Sequence, residues 1–507
     1  MSTSIAKRVL LGSLTLLSAA LLTAGCSLAP QYKVPEVASS AGFKEAPATT
    51  ATAETAGELG TWKIAQPSDQ IPRGEWWVIF DDPALNDFEQ QALSANQNLA
   101  AAAARVKEAR ALQQVSRADL FPTVGAGFGP TREKVTSASQ FQPDGGNIPA
   151  QTLWRAQATA SYEADLFGRV SDAVKASTAE SEESQALLRS VQLSLQADVA
   201  ANYFKIRELD AELQVYAQNV SLREQQLKLV QSKFANGDIA ELDVARARAE
   251  LATARTDEMT AQRQRATAEH SLAVLLGKAP SEFTMASSPL RPVQIRIPPG
   301  LPSALLERRP DIAAAERAMA AANSRIGVAK AAYFPSLSIT GNAGFESATL
   351  GDLFKWSSRA FLLGPLAGTA LTVPIFDGGR RKGNLANARA VFDEDAAKYR
   401  QQVLQAFQEV EDNLSDLRIL EQQTQTEDEA VQASSRAAEI SRTQYKDGAV
   451  NYLDVIDAER TVLQSQTTAV QLSGLQAVAT VNLVRALGGG WGDAVTVGAA
   501  DTPQQTR

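Results

Sequence analysis

Side chains able to do covalent or acid–base chemistry are few in this 507-residue chain, and their placement argues against catalysis. The single histidine, His270, sits among charged residues of a helical pattern, so neither a histidine-based triad nor a zinc site can be assembled around it. Glu409, Glu411 and Asp412 cluster on what reads as a long helix, where carboxylates are surface or seam groups more often than an acid and a base. Gly125-x-Gly127-x-Gly129 lacks the strand-turn-helix context of a dinucleotide loop and reads as small residues along one face of a strand. One thiol remains, that of Cys26, with no second cysteine to pair with. The chain is therefore read as a non-enzyme without a metal or a soluble cofactor.

The residues before Cys26 give its thiol a different chemistry. Lys7-Arg8 form a basic start, Val9 to Leu22 an apolar run, and Ala24-Gly25 a small-residue cleavage site, the pattern of an export signal. Leu22-Thr23-Ala24-Gly25-Cys26 resembles a lipobox, with Thr23 where leucine is commonest. Cleavage before Cys26 would leave the thiol for S-diacylglycerol and the new amine for N-acylation. Several buried acyl chains hold a protein firmly where one chain alone is marginal. Ser27, and not Asp, follows the cysteine, which under the sorting rule for such lipoproteins points to the outer membrane.

Charge and hydropathy narrow the partners. The formal charge is −8, and losing Lys7 and Arg8 with a cleaved leader makes the mature chain more acidic, which argues against nucleic acid. Beyond the leader the nearest approach to an apolar span of roughly 18 residues is Ala360 to Phe376, and Pro365 and Pro374 interrupt it. A crossing of a membrane would have to be made by a closed barrel.

The body is written twice. Phe121-Pro122 recurs as Phe334-Pro335, Leu93 with Asn98-Leu99 as Leu306 with Asp311-Ile312, and Gly237 before Leu242-Asp243 as Gly448 before Leu453-Asp454. The copies lie roughly 210 residues apart, so the unit is large and its two copies should stand in pseudo-symmetry. The expected divisions are a leader at 1–25, a lipid-anchored tether at 26–75 rich in Ala, Thr, Ser and Pro, repeats at 76–290 and 291–488, and a tail at 489–507. Heptad-like spacing of Tyr399, Val403, Phe407, Val410, Leu414 and Leu417, and of Val199, Asn202, Ile206, Leu209 and Leu213, predicts coiled-coil packing. The helix after Arg169 runs without Pro or Gly to about Ala235, and that after Arg380, with only Gly383 near its start, to about Lys446, each on the order of 95 Å. Half-length helices are expected at about 85–119, 240–277, 303–332 with a break at Pro310, and 451–486.

Strand patterns separate the helices. Val124, Ala126 and Phe128 alternate with Thr123, Gly125 and Gly127; Trp154, Ala156, Ala158, Ala160 and Tyr162 alternate with polar residues; Leu337, Ile339, Ala343 and Phe345 do the same. A fourth strand is expected over about Phe361 to Phe376, and loops near 131–152 and 347–358. Strands of about 10 residues with one apolar face suit a tilted crossing of a bilayer. Four strands cannot close a barrel; two copies would give eight with a filled interior, and three would give 12 with room for a channel.

Tyr162-Glu163-x-Asp165-Leu166-Phe167-Gly168-Arg169, Leu306 through Ile312, Ala332-x-Phe334-Pro335, Pro374 through Arg380 and Tyr445 through Asp457 together resemble the outer membrane factors. These are the TolC-like efflux channels, and the likeness is to their OprM- and NodT-type lipoprotein branch. The resemblance implies an α+β membrane protein: a homotrimeric 12-stranded β-barrel, four strands per chain, continued by a long periplasmic α-helical barrel. It implies docking to a periplasmic adaptor and to an inner-membrane pump of the resistance-nodulation-division type, for efflux of small molecules such as drugs, with multidrug resistance as the result. A type I protein secretion duct would share the architecture, and a structural coiled-coil lipoprotein would lack the barrel. Gly237 and Gly448 mark tip turns for adaptor docking. By position in the family, Asp243 and Tyr445 would form a latch between hairpins, and Asp454 and Asp457 an acidic ring favouring cations. Val450 stands where some relatives carry a latch arginine, so Val450 or Ile239 could instead constrict the mouth.

Overall fold

The computed structural model describes residues 27–37, 42–45, 74–134, 149–291, 295, 304–363 and 371–489. The leader, Cys26, the tail from 490, most of the tether and part of the expected fourth strand lie outside the described residues. In chain order the elements are α1 (Pro83–Ala95), α2 (Gln97–Ala118), β1 (Thr123–Glu133), β2 (Gln151–Ala164), α3 (Arg169–Ala235), α4 (Glu241–Leu275), α5 (Leu305–Arg308), α6 (Pro310–Ala331), β3 (Ser336–Ser347), β4 (Arg359–Leu363), β5 (Leu371–Thr372), α7 (Arg380–Lys446) and α8 (Tyr452–Ala486). The fold is thus α+β, mostly helical with one sheet. The chain divides into two compact units, one built from residues up to 36, 105–184 and 314–399, the other from 37–104, 185–313 and the residues from 400 onward. No helix among the described residues is long and apolar enough to cross a membrane.

The first unit holds the sheet, antiparallel in the order β1-β2-β3-β4, with β5 also paired to β3. Its register aligns the alternation seen in the sequence. Phe128 lies opposite Ala156 and Ala156 opposite Phe345; Ala126, Ala158, Ala343 and Phe361 form the next row, and Val124, Ala160, Gly341 and Leu363 the one after. The other face carries Gly127, Gln157 and Gly344, then Gly129, Arg155 and Glu346. Arg155 Nε donates to Glu346 at 3.0 Å and a guanidinium nitrogen reaches Glu133 at 3.7 Å, so charge is matched across three strands. Gly344 is required by a close approach: a methyl there would overlap the backbone of Ala156 and Gln157. Of the expected fourth strand, β4 and β5 are described and residues 364–370 lie outside the described residues. β5 ends at Thr372 because Pro374 has no N–H for the ladder, and Ile375 and Phe376, expected within the strand, are exposed outside it.

The second unit is a helical core. Trp76 and Trp77, with Leu85 and Ala92 of α1, pack against Val199, Tyr203 and Ile206 of α3, Leu272 of α4 and Val481 and Val484 of α8. Both long helices have 67 residues, about 100 Å at 1.5 Å per residue. The seam on α7 is Tyr399, Val403, Ala406, Val410 and Leu414, all buried, whereas Phe407 and Leu417 are half-buried. The helix expected over 85–119 is two helices. Asn96 is extended (φ −65°, ψ 126°); its side-chain oxygen caps α2 at Leu99 N (3.0 Å) and its amide donates to Leu275 O at 2.9 Å. The expected break at Pro310 is present, since proline forces Arg309 into extended backbone. Arg309 is buried and joins Asp311 (2.6 Å), Glu409 (2.7 Å) and Ala486 O (3.0 Å). Glu411 accepts from the backbone of Lys44 (2.8 Å) and Glu45 (2.9 Å), so this part of the tether is pinned and not free. The carboxylate cluster of the sequence is structural.

Candidate functional site

Two helical hairpins, α3–α4 and α7–α8, turn in the second unit at the predicted glycines. Gly237 (φ +82°) and Gly448 (φ +78°) take the left-handed conformation that glycine enters at little cost. In the first turn Asp238 N donates to Lys233 O (3.0 Å) and Gly237 N to Phe234 O (3.0 Å); in the second Ala449 N donates to Gln444 O (2.8 Å) and Gly448 N to Tyr445 O (3.2 Å). Both are Schellman closures that satisfy the last helical carbonyls. The next helices start differently. Asn451 caps α8 and forms a capping box with Asp454, whereas Ala240, at the same place before α4, offers no side-chain cap.

One apolar cluster joins all four helix ends: Val230, Val244, Ala247, Tyr445, Tyr452, Val455 and Ile456 are buried, and Leu227, Ile239 and Val450 pack partly buried against them. The structure thus places Val450 and Ile239 on the inner cluster of the same chain. Tyr445 and Tyr452 stack obliquely with centroids 5.4 Å apart. Lys233 of the first hairpin lies 4.5 Å from the Tyr445 ring centroid and donates to Tyr445 O at 3.3 Å. Burial, and after it the charge of Asp243, pushes the Tyr445 phenol above its ordinary value. Its hydroxyl, like that of Tyr452, is buried without a hydrogen-bond partner among the described residues. Within one chain Asp243 and Tyr445 are therefore coupled by charge alone, and the Asp243 carboxylate meets Arg246 at 3.4 Å. Asp454 and Asp457 are exposed, the former held by its capping box.

Beside this cluster lies a buried ionic group that the sequence reading missed. Arg223 of α3, 2 % exposed, meets Glu459 of α8 at 2.8 Å and Glu250 of α4 at 3.7 Å. Gln226 also donates to Glu459, Arg460 Nε donates to Glu250 at 3.2 Å, and Arg442 of α7 stands 3.8 Å from Glu459. Burial is the largest influence on Glu459 and raises its pKa in spite of these donors. Every member belongs to one of the four hairpin helices, so the group ties one hairpin to the other. A signal existed: Glu459 continues the buried stripe Tyr452, Val455 and Ile456 at helical spacing, and a carboxylate on such a stripe needs a buried cation. His270 is exposed on α4, and no group of metal-ligating side chains occurs among the described residues.

Comparison with known proteins agrees with this geometry. The family model described as outer membrane efflux protein matches residues 89–278 and 301–489. The chain is similar to the toluene efflux pump outer membrane protein TtgF of Pseudomonas putida, 33% identical over 468 residues covering 92% of this chain and 94% of the relative. It is similar to the cation efflux system protein CusC of Escherichia coli, 32% identical over 481 residues covering 93% of this chain and 97% of the relative. Among solved structures, the outer membrane channel CmeC of Campylobacter jejuni superposes with a TM-score of 0.82 at 25% identity, over 92% of this chain and 95% of that one.

Proposed function

The chain belongs to the outer membrane efflux protein family, and from that premise we propose that it is the channel of a tripartite efflux system, working as a homotrimer. It receives small molecules from a periplasmic adaptor and an inner-membrane pump of the resistance-nodulation-division type and releases them outside the cell. Cys26 carries the lipid that anchors it.

The observation that carries this reading is the sheet. One face carries Phe128, Ala156, Phe345, Ala126, Ala158, Ala343 and Phe361 in register, with Arg359 at its end opposite Phe345, and the other matches Arg155 with Glu346 and Glu133, as a wall between lipid and a wet lumen would. Its outer strands β1 and β4 have one unpaired edge each among the described residues. A bilayer core tolerates no open edge, so these edges need other copies of the chain. Three copies supply 12 strands with an open lumen.

In this reading the tips are the gate. Arg223, Glu459, Glu250 and Arg460 hold the two hairpins of a chain together, Asp243 and Tyr445 latch the mouth, and exposed Asp454 and Asp457 form an acidic ring that favours cations. The named relatives export toluene and cations, which supports small cargo. Gel mobility and drug susceptibility test the proposal. Outer membranes should yield a heat-modifiable band near three chain masses, and deleting the gene should sensitise cells to small toxic compounds. A monomer in the soluble fraction and an unchanged susceptibility would contradict it.

A further inference from the structure

The first residues after Cys26 are bound where the sequence suggests a loose tether. Ser27 Oγ donates to both carboxylate oxygens of Asp172, at 2.7 and 2.9 Å. Asp172 is fully buried in the first turn of α3, and Lys175 is its other side-chain partner, at 2.9 Å. Asn323 donates to Pro30 O at 2.9 Å, and Tyr32 Oη donates to Glu316 O at 3.2 Å.

A second observation comes from α6 itself. Gly327 lies inside this helix, where glycine costs about 1 kcal/mol relative to alanine. A Cβ at that place would run into the Asp172 carboxylate and into Ala29, so the helix gives up its side chain where the strap passes. Residues 29, 30 and 32 meet α6 at 327, 323 and 316, which fixes the direction of the strap. Read backward from Tyr32 to Ser27, it heads for the end of α6 that leads into β3 and for the start of α3 that follows β2. Both are the margin of the sheet.

We propose that Asp172, Gly327, Asn323 and Glu316 form a seat for residues 27–32 that delivers the lipid on Cys26 to the sheet margin, and that this seat selects a small hydroxyl residue at position 27. The proposal rests on the lipidation of Cys26. An acidic residue at 27 would set a second carboxylate against the buried Asp172, and alanine would remove one of its donors.

The test uses full-length protein in detergent, with tryptic cleavage after exposed Lys33 followed by mass spectrometry. Ser27→Ala and Gly327→Ala should each speed release of the preceding peptide by about fivefold to tenfold, while Ser27→Thr stays near wild type. Gly327→Ala is the sharper variant, because an alanine in an uncontacted helix interior would stabilise. Equal rates in all four proteins would overturn the seat. The same spectra report the lipid separately: a released peptide with unmodified Cys26 and an intact, protected strap would overturn the proposal through its lipid premise alone.

Discussion

Asp243 and Asp454 are the same residue at the same place in two copies of one hairpin, the third position of its second helix, and they end with different work. Asn451 precedes α8 and accepts from Asp454 N at 3.2 Å, while Asp454 accepts from Asn451 N at 3.1 Å, so the carboxylate is fixed in place at its own helix start with its charge still exposed. Ala240 precedes α4 and has nothing to offer, so Asp243 is left to pair with Arg246 and to act by its charge on the Tyr445 phenol across the hairpins. One residue before the helix decides whether an aspartate is held in place or free to turn to other partners. Buried glutamates repeat the lesson. Glu459 has Arg223, Gln226 and Arg442 around it, whereas both oxygens of Glu89, between Leu85 and Ala92 on the core face of α1, have no hydrogen-bond partner among the described residues.

The largest effect should come from removing the cation that Glu459 depends on. Arg223→Met leaves a buried carboxylate without its main partner and should cost roughly 3–5 kcal/mol, read as a lower thermal midpoint of the purified protein. An unchanged midpoint would mean that Gln226 and Arg442 suffice.

Glu89 should dominate the response to pH. Burial raises its pKa from 4.5 to about 9, so the folded chain keeps a proton that the unfolded chain has lost. Its stabilising effect is complete below 4.5 and is lost as pH rises from there to about 9, with a slope of about 1.4 kcal/mol per pH unit. Unfolding midpoints taken across pH 6 to 8, well inside that window, should fall more steeply in wild type than in Glu89→Gln; parallel curves would remove Glu89 as the cause.

The cap comparison can be reversed by exchange. Ala240→Asn should add a cap worth about 1 kcal/mol and draw Asp243 back to its own helix, and Asn451→Ala should cost about the same. Chemical-denaturation midpoints check both; a loss in the two variants alike would deny that the cap is what separates the copies. The smallest effect should be that of Tyr445→Phe, within about 0.5 kcal/mol, since the lost hydroxyl has no hydrogen-bond partner among the described residues. A large loss would contradict the unpartnered hydroxyl.

What the sequence disclosed follows from period and punctuation. Strand alternation was readable because Val124, Ala126, Phe128 and their partners keep a strict period of two, and the long helices because nothing between Arg169 and Ala235 interrupts them. Pro310 announced its break, but Asn96 did not, since asparagine inside a helix is only mildly unfavourable until its cap bonds are known. Pro374 marks the end of β5 at Thr372, because it has no N–H for the ladder. The Arg223–Glu459 pair joins residues 236 positions apart, and no local pattern names such a partner. The seat of Ser27 was hidden for the same reason, because Gly327 reads as a helix defect until Ala29 is placed against it.

The central claim is that the hairpins are held together at the tips and that releasing them opens a duct. Single-channel conductance in a planar bilayer tests it most directly, comparing wild type with the double variant Arg223→Met, Glu459→Met, which removes both charges and leaves neither buried alone. A small, cation-selective conductance in wild type that rises in the double variant is the predicted result. Inserted channels with the same conductance in both proteins would contradict it.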